Sequence, residues 1–387
     1  MSDDLRSCIH CGLCLNDCPT YKLTGNEANS PRGRLLQWKA EKDGTVRLNK
    51  SIDYYTDECV GCLACESACP SKVPYGSYLA ERRRKQVLER RSSINWKIQV
   101  AGMLIKFPRL FHLLLTPGRI IRKMDISIGY IFPGKTSAFQ SSKSYADNLR
   151  KKIRPTGPTL ALHIGCLMEG LFREINFSTI NVLMRHNFNV VVPPKQVCCG
   201  AIYEHTGMKD PELFQEKNNE AFIHSKAEIV LSNSAGCGLS LSKGLNGSGM
   251  KFQDVISFLG ESDLQNKSHF HPGVKLYVDL PCHLVHGQKV EGIPVSIMEA
   301  IGYQWEYVPD ANDCCGAGGT YQIQKPGNAK SIIKDKSSFL NSIPSDIYPV
   351  IVTSNHVCMM QWNSAKKIIN RPFSVYHPIQ LLDGILN

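Results

Sequence analysis

Eight of the sixteen cysteines in this 387-residue chain stand in two complete copies of one pattern. The copies are "CIHCGLCLNDCP", with Cys8, Cys11, Cys14, Cys18 and Pro19, and "CVGCLACESACP", with Cys59, Cys62, Cys65, Cys69 and Pro70. Both read C-x2-C-x2-C-x3-C-P. Two-residue spacers let one loop wrap three thiolates round one face of a metal–sulfur cube while its amide N–H groups point at the sulfides. The fourth cysteine lies further on, where proline turns the chain away. Zinc ribbons use pairs of C-x2-C instead of three cysteines followed by Cys-Pro.

The spacing is that of two-cluster bacterial ferredoxins, in which the fourth cysteine of each motif ligates the other cluster. Cys8, Cys11, Cys14 and Cys69 are therefore expected at one 4Fe–4S cluster, and Cys59, Cys62, Cys65 and Cys18 at a second. Crossed ligation holds two clusters close, which suits electron relay. Forty residues separate the motifs, and they include "NSPRGRLLQWKAEKDG". Ser30 is placed there as a helix N-cap, with Pro31 at the first helical position. Arg32 and Arg34 then either bring positive charge beside a cluster or stand solvated in the first turn.

The other eight cysteines form a wider repeat. Cys166 is followed by 31 residues and then Cys198-Cys199; Cys282 is followed by 31 residues and then Cys314-Cys315. Both pairs continue "CCGA". A fourth cysteine closes each half, Cys237 in "EIVLSNSAGC" and Cys358 in "PVIVTSNHVC". Short apolar runs precede these positions: "TLALHIGC", "NVVVPP" and "EIVLSN" in the first half, "VKLYVDL", "WEYVP" and "YPVIVTSN" in the second. Helical spacing follows over Glu169–His186, Pro211–Ala227 and Ser296–Ile301. Strands alternating with helices predict βαβ units and a parallel sheet in each half. Ligands bind outside the carboxyl ends of such strands, so four thiols per half gather at one crevice. Adjacent cysteines in a sharp turn present two thiolates to one metal assembly, and Gly200 and Gly316 permit the φ > 0 or close approach that the turn needs. A metal or Fe–S site, a dithiol redox pair and structural cysteines all fit this pattern. His163, His283, His286 and His356 stand nearby, as ligands, proton donors or packing residues.

Charge is concentrated in the middle. From Arg82 to Arg154 there are 18 Lys and Arg against three acids, Glu89, Asp125 and Asp147, within a chain of net charge +11. The segment "KIQVAGMLIKFPRLFHLLLTPGRIIRKMDISIGYIFPGK" mixes these charges with apolar runs. It reads as an amphipathic surface for an anionic membrane or as a core-packed linker with a solvated basic face. Pro108 and Pro117 break it, so it is no spanning helix. Sparse aromatics and the lack of a nucleic-acid-binding motif exclude nucleic acid as partner. The start, "MSDDLRSCIHCG", has none of the features of a signal peptide. An intracellular, reducing setting follows as the expectation, with cysteines as ligands or redox groups.

With "CIHCGLCLNDCPTY", "SPRGRL", "CVGCLACESACPSKVPYG", "VCCGA", "SNSAGCG", "LPCHLVHGQKV", "DCCGAGGTY" and "IVTSNHVC", the chain resembles the iron–sulfur subunits of glycolate oxidase (glycolate dehydrogenase). These are CCG-domain proteins related to heterodisulfide reductase. The resemblance implies an electron-transfer subunit in the cytoplasm, peripheral at the membrane's inner face. FAD-bearing partner subunits would oxidise glycolate to glyoxylate, and this chain would pass the electrons to an acceptor, a membrane quinone. It also implies non-cubane Fe–S ligation by Cys166, Cys198, Cys199 and Cys237, and by Cys282, Cys314, Cys315 and Cys358, or zinc in its place. The relatives' halves often end in C-x2-C; here "SAGC" and "NHVC" are each one thiol short, and Val357 replaces the usual Gly. Substrate chemistry belongs to a partner because the chain has no Rossmann phosphate fingerprint or flavin site. Other readings are the iron–sulfur subunit of a lactate or anaerobic glycerol-3-phosphate dehydrogenase, a heterodisulfide reductase-like enzyme, and a zinc-stabilised interaction protein.

The expected fold class is α+β and multidomain. A mainly helical ferredoxin-type domain spans 1–90, a basic helical linker 91–157, and two α/β halves with parallel sheets 158–270 and 271–387.

Overall fold

The computed structural model describes residues 7–46, 50–89, 94–118, 140–262 and 273–384. The latter part of the basic segment, 119–139, thus lies outside the described residues. The N-terminal part is helical, with helices Pro19–Thr24, Pro31–Lys42, Lys50–Asp57 and Tyr75–Leu88. Ser30 is the N-cap that the sequence predicts: its Oγ accepts the Gly33 N–H at 3.0 Å, and Pro31 opens the helix. Trp38 is buried on that helix, stacks on Tyr75 at 5.5 Å between ring centroids, and donates from Nε1 to Thr56 Oγ1 at 2.9 Å. One ring thus ties three segments together behind the cysteine loops.

Two four-stranded parallel sheets follow. The first comprises β1 (Thr159–His163), β2 (Asn189–Val191), β3 (Ile229–Ser232) and β4 (Lys251–Asp254), in spatial order β2-β1-β3-β4. The second comprises β5 (Val274–Val278), β6 (Trp305–Tyr307), β7 (Tyr348–Val352) and β8 (Ser374–Tyr376), in the matching order β6-β5-β7-β8. In each, the first strand lies inside the sheet and its successors flank it. The chain therefore reverses direction at the first strand, which opens a crevice over the carboxyl ends. β1 pairs Leu160 with Val190 on one side and Ile229 on the other; β5 pairs Leu276 with Trp305 and Val350. One apolar core runs through both sheets, from Leu160, Leu162 and Leu231 to Leu276, Val350 and Trp362. Each such fully buried side chain contributes about 1.5–3 kcal/mol.

The α+β class and the duplicated parallel sheets agree with the sequence reading. Two strands were not expected. β4, "KFQD", and β8, "SVY", are short edge strands without an apolar run. The helix expected over Glu169–His186 is two, Cys166–Leu171 and Arg173–Arg185, divided at Phe172. Helices Pro326–Ser337 and His356–Ala365 were also not foreseen, whereas Ser142–Ile153 falls within the expected helical linker.

Asp254 ends β4 and caps the next helix, its Oδ1 accepting the Ile256 N–H at 2.9 Å, while buried Oδ2 has no hydrogen-bond partner among the described residues. Burial raises its carboxyl to about 7. A folded pKa above the unfolded value means stability is fullest below the unfolded pKa of about 3.9 and falls as pH rises through 7. Asp254→Asn keeps the cap and removes the charge. It should stabilise the protein by about 2–4 kcal/mol above pH 7, with no gain near pH 4, in denaturant titrations at both pH values.

Candidate metal centres

The two N-terminal cysteine loops share one backbone device. In each, the residues on either side of the second cysteine are left-handed: His10 (φ 57°) and Gly12 (φ 83°) around Cys11, Gly61 (φ 79°) and Leu63 (φ 67°) around Cys62. Alternating hand curls the loop and turns successive N–H groups towards one concave side, as anion-binding nests do. Cys8, Cys11, Cys14 and Cys69 line one pocket. Cys65 is also on its wall, at the side facing the second group. Cys18 interacts electrostatically with Cys59 and Cys62, and Cys65 with Cys62, Cys59 and Cys18. The fourth cysteine of each motif thus lies with the first three of the other.

The two arginines differ. Arg32 lies near the surface, donates to the His10 carbonyl at 2.9 Å and pairs with Glu27 at 2.7 Å. Arg34 is not in a solvated turn: it is 1% exposed, donates to the Tyr55 carbonyl at 2.6 Å and to Thr20 Oγ1 at 3.0 Å. Burial opposes its charge, but the field of Tyr75, Cys59 and Cys18 outweighs this and raises its pKa. Burial raises the Cys14 thiol to about 11, and raises Cys18 and Cys65 as well.

In the repeated halves the four thiols converge as expected. Cys166 and Cys198 approach to 3.3 Å between sulfurs, and Cys198, Cys199 and Cys237 follow in hydrogen-bonded succession. Cys314 contacts Cys282 and Cys315, and Cys315 and Cys358 approach to 3.1 Å. These separations exceed a disulfide's and the thiols are free. The glycines after each pair have the expected left-handed backbone, Gly200 at φ 84° and Gly316 at φ 81°. A Cβ on Gly316 would stand 2.9 Å from Ile332 Cβ, so close helix packing needs glycine there too. Cys237 and Cys358 are each the third residue of their helices, Ala235–Leu245 and His356–Ala365. Contacts with Cys199 and Cys315 and burial raise both thiols well above the usual range.

All eight of these cysteines, with Cys62 of the second N-terminal loop, line a single cavity of about 280 Å³. The sequence did not indicate that the two halves share one cavity, nor that Cys62 hydrogen bonds Cys314. Two histidines fix this junction. His283 Nε2 lies 3.0 Å from the Gly61 carbonyl, and His286 Nδ1 lies 2.9 Å from Ser67 Oγ. Burial lowers the pKa of both, so each is neutral at pH 7. His163 and His356 bond the Val197 carbonyl (3.1 Å) and Ser234 Oγ (3.0 Å). All four histidines therefore hold neighbouring segments in place.

The positions one thiol short also meet. Ser234 and Asn355 are the N-caps of the helices carrying Cys237 and Cys358, with φ/ψ of −142°/113° and −146°/119°. Ser234 Oγ donates to Asn355 Oδ1 at 3.1 Å across the two halves, and Asn355 Nδ2 donates to Cys358 Sγ at 3.4 Å.

The halves differ behind their cysteines. Three residues before the first thiol stand His163 in one and Asp279 in the other; the eleventh position of helices Glu212–Ile223 and Pro326–Ser337 carries Phe222 and Lys336. His163 and Phe222 form a neutral edge-to-face pair at 6.2 Å. Asp279 and Lys336 form a buried ion pair at 2.7 Å, and Trp362 Nε1 donates to Asp279 at 2.9 Å. Lys336 also donates to the Ala311 carbonyl at 3.1 Å and lies in the electrostatic reach of Cys315 and Cys314. Lys336 lies on a helix that the sequence reading did not foresee; aligning it with Phe222 through the repeat was the available signal.

The residues fit iron–sulfur assemblies. Sulfur contacts and burial push Cys198, Cys199 and Cys237 well above the usual thiol range, so they stay protonated unless a cation holds them as thiolates. The thiols run in chains of sulfur contacts, soft donors of the kind that hold an iron–sulfur cluster or zinc.

Comparison with known proteins agrees. A family profile described as "4Fe-4S dicluster domain" matches residues 4–73, and one described as "Cysteine-rich domain" matches 160–242 and 278–363. The glycolate oxidase iron–sulfur subunit of Escherichia coli is 29% identical, over 99% of this chain and 94% of its own length. The probable glycolate oxidase iron–sulfur subunit of Bacillus subtilis is 28% identical, over 92% and 88%. A subunit of the CoM/CoB fumarate reductase of Methanothermobacter marburgensis is 26% identical over 88% of this chain and 65% of its own length. The chain is an iron–sulfur protein that joins a 4Fe–4S dicluster domain to a duplicated cysteine-rich domain, a homologue of the iron–sulfur subunits of glycolate oxidase.

Proposed function

We propose that this chain is the iron–sulfur electron-transfer subunit of a flavin-dependent glycolate-oxidising complex. The observation that supports this most is the contact of Cys62 with Cys314, which joins the N-terminal thiol sites to the cavity of the repeated halves. Cys8, Cys11, Cys14 and Cys69 would hold one 4Fe–4S cluster, and Cys18, Cys59, Cys62 and Cys65 a second. The eight cysteines of the halves would hold further iron–sulfur ligation, four from each half. Bound clusters supply one-electron storage between a two-electron donor and a two-electron acceptor.

The chain's own residues set the order. Cys11 is exposed, flanked by Ile9 at 66% and Leu13 at 54% exposure, so the first site faces an incoming partner. That partner is an FAD-bearing subunit: it takes two electrons and two protons from the α-carbon and hydroxyl of glycolate, leaving glyoxylate. Arg34 fixes positive charge beside Cys18 and Cys59, which favours an electron there. His283 and His286 clamp the second loop against the repeated halves and keep Cys62 at Cys314. The acceptor is a quinone. A second reading, disulfide reduction in the cavity, is favoured by the convergence of both cysteine pairs on one space.

Anaerobic purification of the native complex tests the proposal. FAD-containing subunits should accompany the chain, iron should reach about eight atoms per chain or more, and glycolate should elicit the EPR signals of reduced 4Fe–4S clusters. A chain that comes alone and stays oxidised with glycolate, yet turns over a disulfide, would favour the second reading.

A further inference from the structure

Tyr75 stands between the two N-terminal cysteine sites. Its ring is on the wall of the pocket lined by Cys8, Cys11, Cys14 and Cys69, and its hydroxyl donates to Cys59 Sγ, of the second set, at 3.6 Å. The side chain is buried and stacks on Trp38, so it has no room to turn. The sequence puts it there. "SKVPYG" follows the second motif, Pro74 is the N-cap of helix Tyr75–Leu88, and Tyr75 is that helix's first residue. Gly76 lies so close to the second loop that a Cβ would stand 2.6 Å from Leu63 Cδ2, and its N–H donates to Glu66 Oε1 at 2.6 Å. The phenol is therefore clamped to the loop that carries Cys59, Cys62 and Cys65.

Fixed positive charge is unequal between the two sites. Buried Arg34 donates only to neutral acceptors, the Tyr55 carbonyl and Thr20 Oγ1, and among the described residues no carboxylate pairs with it. Its Nη1 is shut off from solvent and has no hydrogen-bond partner among the described residues, while Tyr75, Cys59 and Cys18 lie in its field. A buried guanidinium left in that state is costly. Thiolates at Cys59 and Cys18 are the counter-charge it lacks. Arg83 adds a second cation, donating to the Cys59 carbonyl at 2.5 Å and the His205 carbonyl at 3.0 Å. Of the nearby carboxylates, Glu58 is paired with Lys325 at 2.5 Å and Asp313 with Lys22 at 2.6 Å. Glu66, in the field of Cys65, opposes the two arginines.

The arginine at the first site is neutralised. Arg32 pairs with Glu27 at 2.7 Å between partly exposed side chains, where water screens both. Cys11 is exposed there, whereas Cys18, Cys59 and Cys65 are buried. Burial by itself disfavours added negative charge at the second site, as the raised Cys18 and Cys65 thiols show. The same low dielectric strengthens the field of Arg34. A hydrogen bond to a ligating sulfur draws electron density from it, and a nearby cation stabilises an added electron. Both raise a cluster's potential and so offset the burial.

We propose that Tyr75 sets the direction of electron flow through the N-terminal domain. Its hydroxyl bond to Cys59, with the Arg34 charge behind it, holds the site of Cys18, Cys59, Cys62 and Cys65 at a higher potential than the site of Cys8, Cys11, Cys14 and Cys69. Tyr75 acts through the sulfur it touches and is itself neither oxidised nor deprotonated. This deepens the electron-transfer reading and rests on it for the source of electrons. One electron leaves the first site, which is oxidised, and enters the second, which is reduced; no bond breaks and no proton moves. The electron then stands at Cys62, in contact with Cys314 of the repeated halves.

The test is a redox titration of the full-length chain with its iron, followed by EPR. Dithionite is the reductant, so neither glycolate nor a partner subunit is needed. Tyr75→Phe keeps the ring and its stacking on Trp38 and removes only the donor. At a fixed ambient potential the reduced-to-oxidised ratio of the second site should fall about tenfold, which is about 59 mV for one electron, while that of the first moves less than about twofold. Arg34→Gln should lower the same ratio by more than about tenfold, and Arg34→Lys, which keeps the charge, should recover most of it. Cys11→Ser, which withdraws a ligand from the first site, identifies the signal that belongs there. In Tyr75→Phe the Fe–S(Cys) stretching bands of the resonance Raman spectrum should rise in frequency, because the sulfur no longer shares its electron density with a proton. Iron content and circular dichroism check that the variants fold; where Arg34→Gln loses iron, Tyr75→Phe decides alone. Unchanged potentials in Tyr75→Phe overturn the proposal, as do equal shifts at both sites or a wild-type first site with the higher potential. Glycolate that fails to reduce the wild-type complex, with these shifts intact, would sink the electron-transfer reading and leave the order of the two sites standing.

Discussion

Replacing Cys62 with serine should cut electron delivery to the cavity by more than about a hundredfold. Altering a group that merely supports a metal ligand typically costs 10–100-fold, and Cys62 is placed as a ligand itself. It also belongs to two environments. It neighbours Cys59, Cys65 and Cys18 in the N-terminal domain, hydrogen bonds Cys314 in the second half, and lines the cavity. A serine hydroxyl holds its proton far more tightly than a thiol and is a hard donor where iron–sulfur clusters need a soft one. Iron should fall by about one to four atoms per chain. The discriminating signal is positional. In the Cys62→Ser complex, glycolate should still reduce the cluster at Cys8, Cys11, Cys14 and Cys69, seen by rapid-freeze EPR, while downstream signals stay silent. Cys11→Ser, at the exposed end, should silence the chain from its start and spare iron near Cys62. Wild-type quinone reduction by Cys62→Ser would show that electrons reach the cavity by another route.

The strand–helix alternation and the two cysteine series were legible because their spacings are local. Three thiols on two-residue spacers dictate a loop, and an apolar run before "GC" or "DLPC" dictates a strand pointing at a crevice. β4 and β8 were not legible: "KFQD" and "SVY" become strands by pairing with β3 and β7, a non-local cause. Arg34 illustrates a different limit. Nothing in "SPRGRL" distinguishes Arg32, near the surface, from Arg34, under Tyr75 and beside Cys18; helix phase decides it. The meeting of Ser234 with Asn355 needed the packing of one half on the other. The repeat suggests two separate crevices; in the structure both cysteine sets line one cavity. Helices Trp96–Leu104 and Pro108–Leu114 show the same limit, since an apolar basic segment reads alike whether its greasy side faces in, out or both.

Lys336→Met should destabilise the protein by about 3–5 kcal/mol, the usual cost of leaving one partner of a buried ion pair alone. Lys336 and Asp279 are 4% and 1% exposed at the side chain, so water screens neither. Burial raises the Asp279 carboxyl even with the lysine present, and Trp362 contributes one neutral hydrogen bond. Without Lys336 that carboxyl must be protonated or sit uncompensated in the core. The first half shows that the fold does not need the ion pair, because His163 and Phe222 occupy the same places without charge. Asp279→Asn/Lys336→Met should therefore recover most of the loss, since removing both charges leaves no buried ion and Asn can still accept from Trp362. Denaturant titration of both variants checks this; a double variant as unstable as the single one would mean that Lys336 works through packing or its carbonyl contacts. The double variant also isolates an electrostatic role. Lys336 places positive charge near Cys315 and Cys314, whereas uncharged Phe222 holds the matching position in the first half. Positive charge stabilises an added electron, so the assembly in the second half should have the higher potential. Removing the pair should lower that potential and leave the first half's unchanged, in a redox titration followed by EPR. Equal shifts in both halves, or none, would show that this asymmetry of charge does not steer the electron.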